Sequence, residues 1–169
     1  MYAHRFETRV EVAASPEALF AEMDDQERLS AHMMKSSAMM AGGKMHFDFD
    51  DAKGRAVGSV IRMSGEMLGM TLDVSERVVE REPPHRKVWE TIGEPRLLVV
   101  GNYRLGFEIE AHGQYSRLTM FIDYDDPPPP WRIAGRLLGA VYARWCTTSM
   151  ADGAVAAFAR DGLPAAQPA

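Results

Sequence analysis

The sequence predicts an α+β domain in which a long, curved antiparallel sheet of seven strands wraps around one C-terminal helix. Three observations lead to this prediction. One segment near the N-terminus and six segments between residues 44 and 126 alternate apolar with polar side chains, as half-buried strands do. Short turn signals separate the six later segments, which favours antiparallel neighbours. Beyond residue 130 the apolar positions recur at the period of a helix.

The first strand and two short helices are predicted within the first 32 residues. Alternation over residues 5–12 indicates a strand. Ser15 and Pro16 supply a helix N-cap and a proline at the first helical position, so a helix is expected to reach about Met23. The acidic residues that follow predict a second short helix from near Asp24 to about His32, because negative side chains favour the positive end of a helix.

The six further strands come from alternating segments bounded by turn residues. They are predicted at residues 45–50, 57–67, 70–80, 86–92, 97–110 and 115–124. Pro83 and Pro84 end the third of these segments, and His112 with Gly113 forms the turn before the last.

The C-terminal helix is predicted from near Trp131 to about Asp161, after a rigid lead-in of four prolines. At helical spacing one stripe of side chains is expected to face the concave side of the sheet. That stripe comprises Ala134, Leu138, Val141, Trp145 and Asp152, flanked by Leu137, Thr148, Ser149 and Val155. The opposite side is expected to carry Arg136, Ala143 and Met150. The domain is predicted to span residues 1–162, with residues 163–169 as a flexible tail.

Composition and charge exclude several classes of function. The net charge of -5, without any basic run, argues against nucleic-acid binding. Cys146 is the only cysteine and the five histidines show no ligand spacing, so we expect no disulfide, no metal and no cofactor. The charged N-terminus and the lack of a long apolar stretch predict a cytoplasmic protein without stable membrane insertion.

The order of elements and several local stretches resemble the helix-grip superfamily, which includes Bet v 1, START-like lipid-binding domains and polyketide cyclase/dehydrase-like (SRPBCC) proteins. The resemblance covers residues 3–161 and is carried by residues 10–20, 78–89, 122–127 and 142–146. It implies a cavity between the concave face of the sheet and the long helix, gated by the short helices and the strand-joining loops. Because this scaffold serves lipid carriers, receptors and cyclases alike, the fold leaves the function open.

Polar side chains on inward faces are the candidate catalytic residues, namely Glu76, Tyr103 and Asp152, with Tyr124 as a further candidate. A carboxyl group that faces an apolar cavity has a raised pKa and is able to orient or protonate a ligand carbonyl. A slip of one residue in the strand register would instead turn Glu76 to solvent, so a surface role also stays open.

The residues expected to contact a ligand are mostly apolar. They are Met63, Glu76, Trp89, Tyr103, Phe107, Met120, Leu138, Val141 and Trp145. For the tryptophans and for methionines at strand positions, a purely structural place in the core is the alternative and the preferred interpretation. Met33, Met34, Met39 and Met40 are expected to rim the pocket, because four methionines there occupy a polar-flanked loop.

Three functions stay open at this point. The leading hypothesis is the binding of a small hydrophobic or aromatic ligand, such as a lipid, polyketide or terpenoid-like molecule. The alternative is a cyclase, dehydratase or isomerase that uses an acid or a tyrosine in the same cavity. The third is an accessory or partner-binding subunit that docks through residues 33–40 or the proline run. The sequence is compatible with a monomer or a homodimer.

Overall fold

A computed structural model of the chain describes residues 1–30, 44–67 and 70–161. The elements follow in this order: β1 (His4–Val12), α1 (Pro16–Met23), α2 (Gln26–Leu29), β2 (Lys44–Phe49), β3 (Val60–Met67), β4 (Met70–Glu82), β5 (Arg86–Arg96), β6 (Tyr103–His112), β7 (Tyr115–Tyr124) and α3 (Arg132–Asp161). The seven strands form one antiparallel sheet in the spatial order β1-β7-β6-β5-β4-β3-β2. This confirms the predicted α+β architecture.

The two short helices begin where side-chain caps allow them to. The Ser15 hydroxyl accepts a hydrogen bond from the Ala18 amide at 3.3 Å, and Pro16 is the first residue of α1. Asp25, rather than the predicted Asp24, caps α2, because its carboxylate accepts from the Arg28 amide at 3.2 Å. Asp24 instead ends α1 as its C-cap. The predicted extension of the second helix to His32 lies outside the described residues.

Two strands begin three or more residues later than predicted, and β5 ends at Arg96 rather than Ile92. β3 begins at Val60 rather than Val57, because the Asp50 carboxylate accepts hydrogen bonds from the Ser59 hydroxyl at 2.6 Å and the Val60 amide at 2.8 Å. These bonds hold the intervening residues in turns. β6 begins at Tyr103 rather than residue 97.

Residues 97–102, which we call the β5–β6 connection, are tied to the end of β7. The Gly101 amide donates to the Asp125 carbonyl at 2.7 Å, and the Asp125 amide donates to the Asn102 carbonyl at 2.9 Å. The connection passes beneath α3, where the Val99 carbonyl oxygen lies 3.2 Å and 3.1 Å from the positions that a Cβ would take on Gly135 and Gly139. Larger side chains at these two positions would collide with the connection.

α3 therefore turns its small side chains toward the rest of the fold. The buried positions on this helix are Gly135, Gly139, Ala143, Cys146, Thr147, Met150, Ala151 and Ala154. α3 packs chiefly against β1 and β7, and a hydrogen bond of 2.8 Å joins the hydroxyls of Thr8 and Thr147.

The predicted inward face of the long helix is wrong. Leu137 is 72% exposed, Leu138 is 51% exposed and Val141 is 52% exposed, and Asp152 is exposed as well. Ala143 and Met150, which were predicted to face solvent, are buried, whereas Arg136 is exposed as predicted. The prediction placed the most hydrophobic stripe inward, but a helix that lies this close to a loop and a sheet needs small residues at the contact.

Several further predictions fall outside the described ranges. These are the pocket rim and docking segment at residues 33–40 and the flexible tail at residues 163–169. The domain boundary at residue 162 also stays a prediction. In the part of the chain that the structure does describe, no helix is both long and apolar enough to cross a membrane.

The two glycines of α3 that differ most in their surroundings provide a test of this packing. A Cβ on Gly153 would meet no atom within 4 Å, so Gly153→Ala is expected to raise the free energy of unfolding by about 0.5–1 kcal/mol, since alanine favours a helix. A Cβ on Gly135 would lie 2.1 Å from the Pro127 ring. Gly135→Ala is therefore expected to lower the free energy of unfolding by roughly 1–3 kcal/mol. Urea unfolding of the two variants measures both effects, and equal effects would contradict the close contact.

Candidate functional site

Glu76 and Tyr103 meet on the inner face of the sheet. The strand register sets Glu76 of β4 opposite Ile61 of β3 and Thr91 of β5. Bulges interrupt the β4–β5 ladder before Ser75 and after Val78, yet the buried positions of β4 still alternate through Glu76, as the sequence pattern predicts. The Tyr103 hydroxyl on β6 donates a hydrogen bond to a carboxyl oxygen of Glu76. The structure thus joins two of the predicted catalytic candidates.

Burial controls the ionisation of this carboxyl group. Loss of solvent raises the pKa of Glu76 to about 7, although hydrogen bonds from Tyr103 and Trp89 and the positive charge of Lys87 act in the opposite direction. Burial, together with the negative charge of Glu76, raises the pKa of Tyr103 well above 10. At neutral pH the pair thus consists of a neutral tyrosine donor and a carboxyl group close to half ionised.

Cys146 lies near the same carboxyl group, and its thiol is unreactive at neutral pH. Burial, with a smaller effect from Glu76, raises the pKa of its thiol to about 12. Because the thiolate is the nucleophilic form of cysteine, a thiol with this pKa does not act as a nucleophile at neutral pH.

The pair borders a narrow cavity between the sheet and α3. Its volume is about 20 Å³, enough for about one water molecule. Its walls are formed by Gln26, Ser30, Phe47, Met63, Glu76, Trp89, Tyr103, Leu105, Ile122, Tyr142, Cys146 and Met150.

Gln26 contributes an unpaired acceptor to this cavity. Its side chain is buried, with 4% of the residue exposed, and its amide oxygen accepts no hydrogen bond from any part of the chain that the structure describes. A buried acceptor without a donor costs roughly 1–3 kcal/mol. The residues of the cavity wall therefore include one with an unpaired acceptor, a tyrosine hydroxyl and a titratable carboxyl group.

A buried ion triad holds the helices beside the cavity. The Asp24 carboxylate lies 3.0 Å from the amine of Lys87, which is fully buried, and 2.8 Å from the guanidinium of Arg81. Burial disfavours the charged form of Asp24, but hydrogen bonds from Arg81 and the charge of Lys87 outweigh it and lower its pKa. Burial lowers the pKa of Lys87, against the opposing effect of Asp24. The Lys87 amine is thus engaged by the triad and does not face the cavity as a free base.

Of the predicted ligand-binding residues, four line the cavity: Met63, Glu76, Trp89 and Tyr103. Phe107 and Met120 are buried on the same inner face but belong to the core outside the cavity wall. Phe107 packs against the rings of Phe20 and Trp89, with centroids 5.6 Å and 6.4 Å away.

The remaining candidates lie elsewhere. Leu138, Val141 and Asp152 are on the exposed side of α3, so the predicted link between Asp152 and the cavity is wrong. Trp145 is half-buried against Tyr142, with ring centroids 5.8 Å apart. Tyr124 is buried but faces Gly139 rather than the cavity.

The sequence interpretation missed eight residues of the cavity wall. They are Gln26, Ser30, Phe47, Leu105, Ile122, Tyr142, Cys146 and Met150. Tyr142, Cys146 and Met150 are spaced four residues apart and continue the helix face that carries Gly135 and Gly139. Gly135, Gly139 and Ala143 were the available signal in the sequence, because small residues mark the side on which a helix is able to approach a neighbour closely.

A larger groove opens at the end of the sheet near the start of α3. It has a volume of about 810 Å³ and is lined by Met70, Thr71, Leu72, Glu94, Pro95, Arg96, Leu97, Leu98, Gly101, Asn102, Asp125, Asp126, Pro128 and Trp131. Leu72 in the groove and Glu76 in the cavity lie on the same face of β4, about 13 Å apart along the strand. The β5–β6 connection contributes to the groove through Leu97 and Leu98 and reaches the cavity wall where β6 begins at Tyr103.

The raised pKa of Glu76 predicts a specific pH dependence of stability. Between pH 4.5 and about 7 the folded protein keeps a proton that the unfolded chain has released. Relative to Glu76→Gln, the free energy of unfolding of the wild type is therefore expected to fall as the pH rises through this range, by about 3 kcal/mol in total, and to change no further at higher pH. Urea unfolding at a series of pH values measures the difference. The difference in free energy of unfolding between the wild type and Glu76→Leu is expected to change with pH by the same slope. If the difference between the wild type and either variant did not depend on pH, the Glu76 carboxyl would have the same pKa in the folded and the unfolded protein.

Comparisons with known proteins agree with this fold. The family described as polyketide cyclase / dehydrase and lipid transport matches residues 3–163. Among curated proteins, none matches the sequence significantly.

Solved structures share the fold at low sequence identity. The Zhui aromatase/cyclase from Streptomyces sp. R1128 is 12% identical with a TM-score of 0.69, over 98% of this chain and 99% of that chain. A norcoclaurine synthase point mutant from Thalictrum flavum, in complex with a transition-state analogue, is 14% identical with a TM-score of 0.64, over 95% and 96%. A protein of Thermus thermophilus, TTHA0849, is 13% identical with a TM-score of 0.64, over 95% and 100%. The expected helix-grip resemblance is confirmed, and the chain belongs to the polyketide cyclase / dehydrase and lipid transport family.

Proposed function

We propose that the protein binds a small, largely apolar molecule that carries one hydroxyl or carbonyl group, with Glu76 and Tyr103 as its polar anchor. One observation carries the proposal: a buried carboxyl group with a pKa of about 7, hydrogen-bonded to a tyrosine, stands in an otherwise largely apolar wall. A buried carboxyl of this kind destabilises the empty fold as it ionises, so its presence is best explained by a bound partner for it.

The unpaired oxygen of Gln26 supports the choice of polar group. A ligand hydroxyl is both donor and acceptor, so in the proposed complex it donates to the Gln26 oxygen and accepts from the protonated Glu76, whose other oxygen keeps the hydrogen bond from Tyr103. A carbonyl group accepts only, and leaves the Gln26 oxygen without a donor. The arrangement therefore favours an alcohol or phenol over a simple ketone.

The apolar part of the ligand requires more room than the cavity of about 20 Å³ provides. Met63 and Met150 stand on the wall, and their unbranched side chains are able to take up new rotamers. The groove of about 810 Å³ has the size of a typical ligand site and is the proposed entrance, since the β5–β6 connection lines it and leads directly into Tyr103 of the cavity wall.

A matched pair of probes tests the polar anchor. Wild-type protein is expected to bind 1-naphthol about 5- to 30-fold more tightly than 1-methylnaphthalene, because one buried hydrogen-bonding group contributes roughly 1–2 kcal/mol. Glu76→Leu is expected to abolish this preference while it leaves the affinity for 1-methylnaphthalene unchanged. Calorimetric titration measures both constants.

The control variant is Glu110→Gln, which changes an exposed glutamate on β6 and is expected to bind both probes as the wild type does. If the wild type bound neither probe, the binding function would be refuted. Equal affinities for the two probes would refute the anchor alone.

The same carboxyl group favours acid–base catalysis as a second candidate function. A pKa near 7 is the value at which one group both donates and accepts protons efficiently at neutral pH. In that role the ionised Glu76 removes a proton from the carbon beside a ligand carbonyl, and the Tyr103 hydroxyl hydrogen-bonds to the enolate oxygen that results.

Hydrogen–deuterium exchange of 2-tetralone in heavy water, followed by NMR, tests this candidate. The protein is expected to accelerate exchange at the carbon beside the carbonyl, with a rate that rises as the pH passes through about 7, since the ionised carboxyl is the base. Glu76→Gln is expected to lower the rate by about 100-fold or more. If the protein bound 2-tetralone but exchange were no faster than in buffer, the catalytic function would be refuted and only the binding function would stand.

A further inference from the structure

Tyr142 brings a second tyrosine to the cavity from the side opposite the sheet. It belongs to the cavity wall together with Glu76 and Tyr103. α3 carries Tyr142, whereas β4 and β6 carry the other two residues, so the three stand on both sides of the narrow space. The helix side of the cavity thus has a polar side chain that the proposed anchor does not use.

The Tyr142 hydroxyl lacks a polar partner in the part of the chain that the structure describes. It forms no hydrogen bond with any group in residues 1–30, 44–67 and 70–161, although its ring packs against Trp145 with centroids 5.8 Å apart. Tyr103, by contrast, has its partner in Glu76. A hydroxyl removed from water without a partner destabilises a fold, so tyrosines that enter an interior usually find one.

Electrostatic interactions link this hydroxyl to the polar anchor. Burial raises the pKa of Tyr142 well above 10, and the charges of Cys146 and Glu76 act in the same direction. Burial also raises the pKa of Tyr103, with further contributions from Glu76 and from Tyr142 itself. Because interactions between buried charges weaken with distance, the two hydroxyls and the carboxyl group lie within reach of one another in the same low-dielectric space.

We propose that Tyr142 is a second polar contact for the ligand, which then carries two oxygen-bearing groups rather than one. The first group binds at Glu76 and Gln26, and the second forms a hydrogen bond with the Tyr142 hydroxyl. A phenol hydroxyl both donates and accepts, so the second group is a hydroxyl or a carbonyl. The inference rests on the proposed function and narrows its ligand class to aromatic diols and hydroxy ketones.

The shape of the site favours a flat body for such a ligand. The small residues of α3 bring the helix close to the rest of the fold, so a thin molecule needs the least separation of helix and sheet. Aromatic rings stack on one another or meet edge to face, and the wall provides several. The aromatic residues of the wall are Phe47, Trp89, Tyr103 and Tyr142.

A water molecule is the competing partner for the Tyr142 hydroxyl, since the cavity of about 20 Å³ holds about one. The two occupants predict different effects of Tyr142→Phe. If the hydroxyl is kept for a ligand, its removal from the empty protein is expected to leave the unfolding midpoint unchanged or higher, because an unpartnered group is lost. If it holds a structural water, the midpoint falls and ligand binding keeps its preferences.

Probes that differ in one substituent test the proposal. The 1,3-, 1,5- and 1,6-dihydroxynaphthalenes are compared with 3-, 5- and 6-methyl-1-naphthol, so that a methyl group replaces the second hydroxyl at three distances from the first. The wild type is expected to bind at least one diol about 5- to 30-fold more tightly than its methyl counterpart, as one further buried hydrogen bond provides. Tyr142→Phe is expected to abolish this preference and to keep the preference for 1-naphthol over 1-methylnaphthalene. Calorimetric titration measures each constant.

The matched control is Tyr115→Phe, which removes the hydroxyl of a tyrosine that is 50% exposed on β7 and is expected to bind every probe as the wild type does. A wild type that prefers 1-naphthol to 1-methylnaphthalene, but no diol to its methyl counterpart, would overturn the inference and leave the proposed function standing. A full preference for the diol in Tyr142→Phe would also overturn it. If the wild type bound none of the probes, the proposed function itself would be refuted. Circular dichroism establishes that the variants fold.

Discussion

The close approach of α3 to the β5–β6 connection is the constraint on which much of the structure depends. A Cβ on Gly135 or Gly139 would lie 3.2 Å or 3.1 Å from the Val99 carbonyl oxygen, so a larger residue would require the connection to shift. This close contact favours the rotation of the helix that turns the two glycines inward. The small residues that continue the same face, from Ala143 to Ala154, then pack against the sheet, and the large residues of the first half turn outward. With this rotation Leu137, Leu138 and Val141 are exposed, and Tyr142, Cys146 and Met150 lie in the cavity wall.

The rotation also determines which helix residues reach the inner face of the sheet. Tyr142, Cys146 and Met150 follow the glycines on the same side, so they meet the row formed by Glu76, Tyr103 and Leu105. Because the helix lies close, the space left between these two rows is small. The site is consequently compact and mostly apolar, with its polar atoms gathered at Glu76, Tyr103 and Gln26. Burial in this compact site raises the pKa of the carboxyl group, since little solvent reaches it, and outweighs the opposing effect of the hydrogen bond from Tyr103.

The sequence was sufficient for the architecture and for the inner faces of the strands. The period of two made Glu76, Trp89 and Tyr103 candidates for the inner face, while a register slip left a surface position open for Glu76. The structure has all three in the cavity wall. The helix face was predicted wrongly, because Leu138 and Val141 are more hydrophobic than Gly139 and Ala143, and hydrophobicity does not report how closely two elements approach. Gln26 was missed because its role depends on a tertiary contact: a polar residue in a short helix gives no sign that it closes a cavity formed by distant strands.

The ion triad has a consequence for the chemistry of the cavity. Asp24 ends α1 and is held by Lys87 and Arg81, and Gln26 follows only two residues later as the first residue of α2. The triad therefore helps to determine the position of Gln26, which is only two residues from Asp24, although none of its three residues lines the cavity. The ion pairs of Asp24 thus position the neutral side-chain amide of Gln26 at the cavity wall. In the proposed function, selectivity for the polar group of a ligand would therefore depend on the same ion triad that fastens the helices to the sheet.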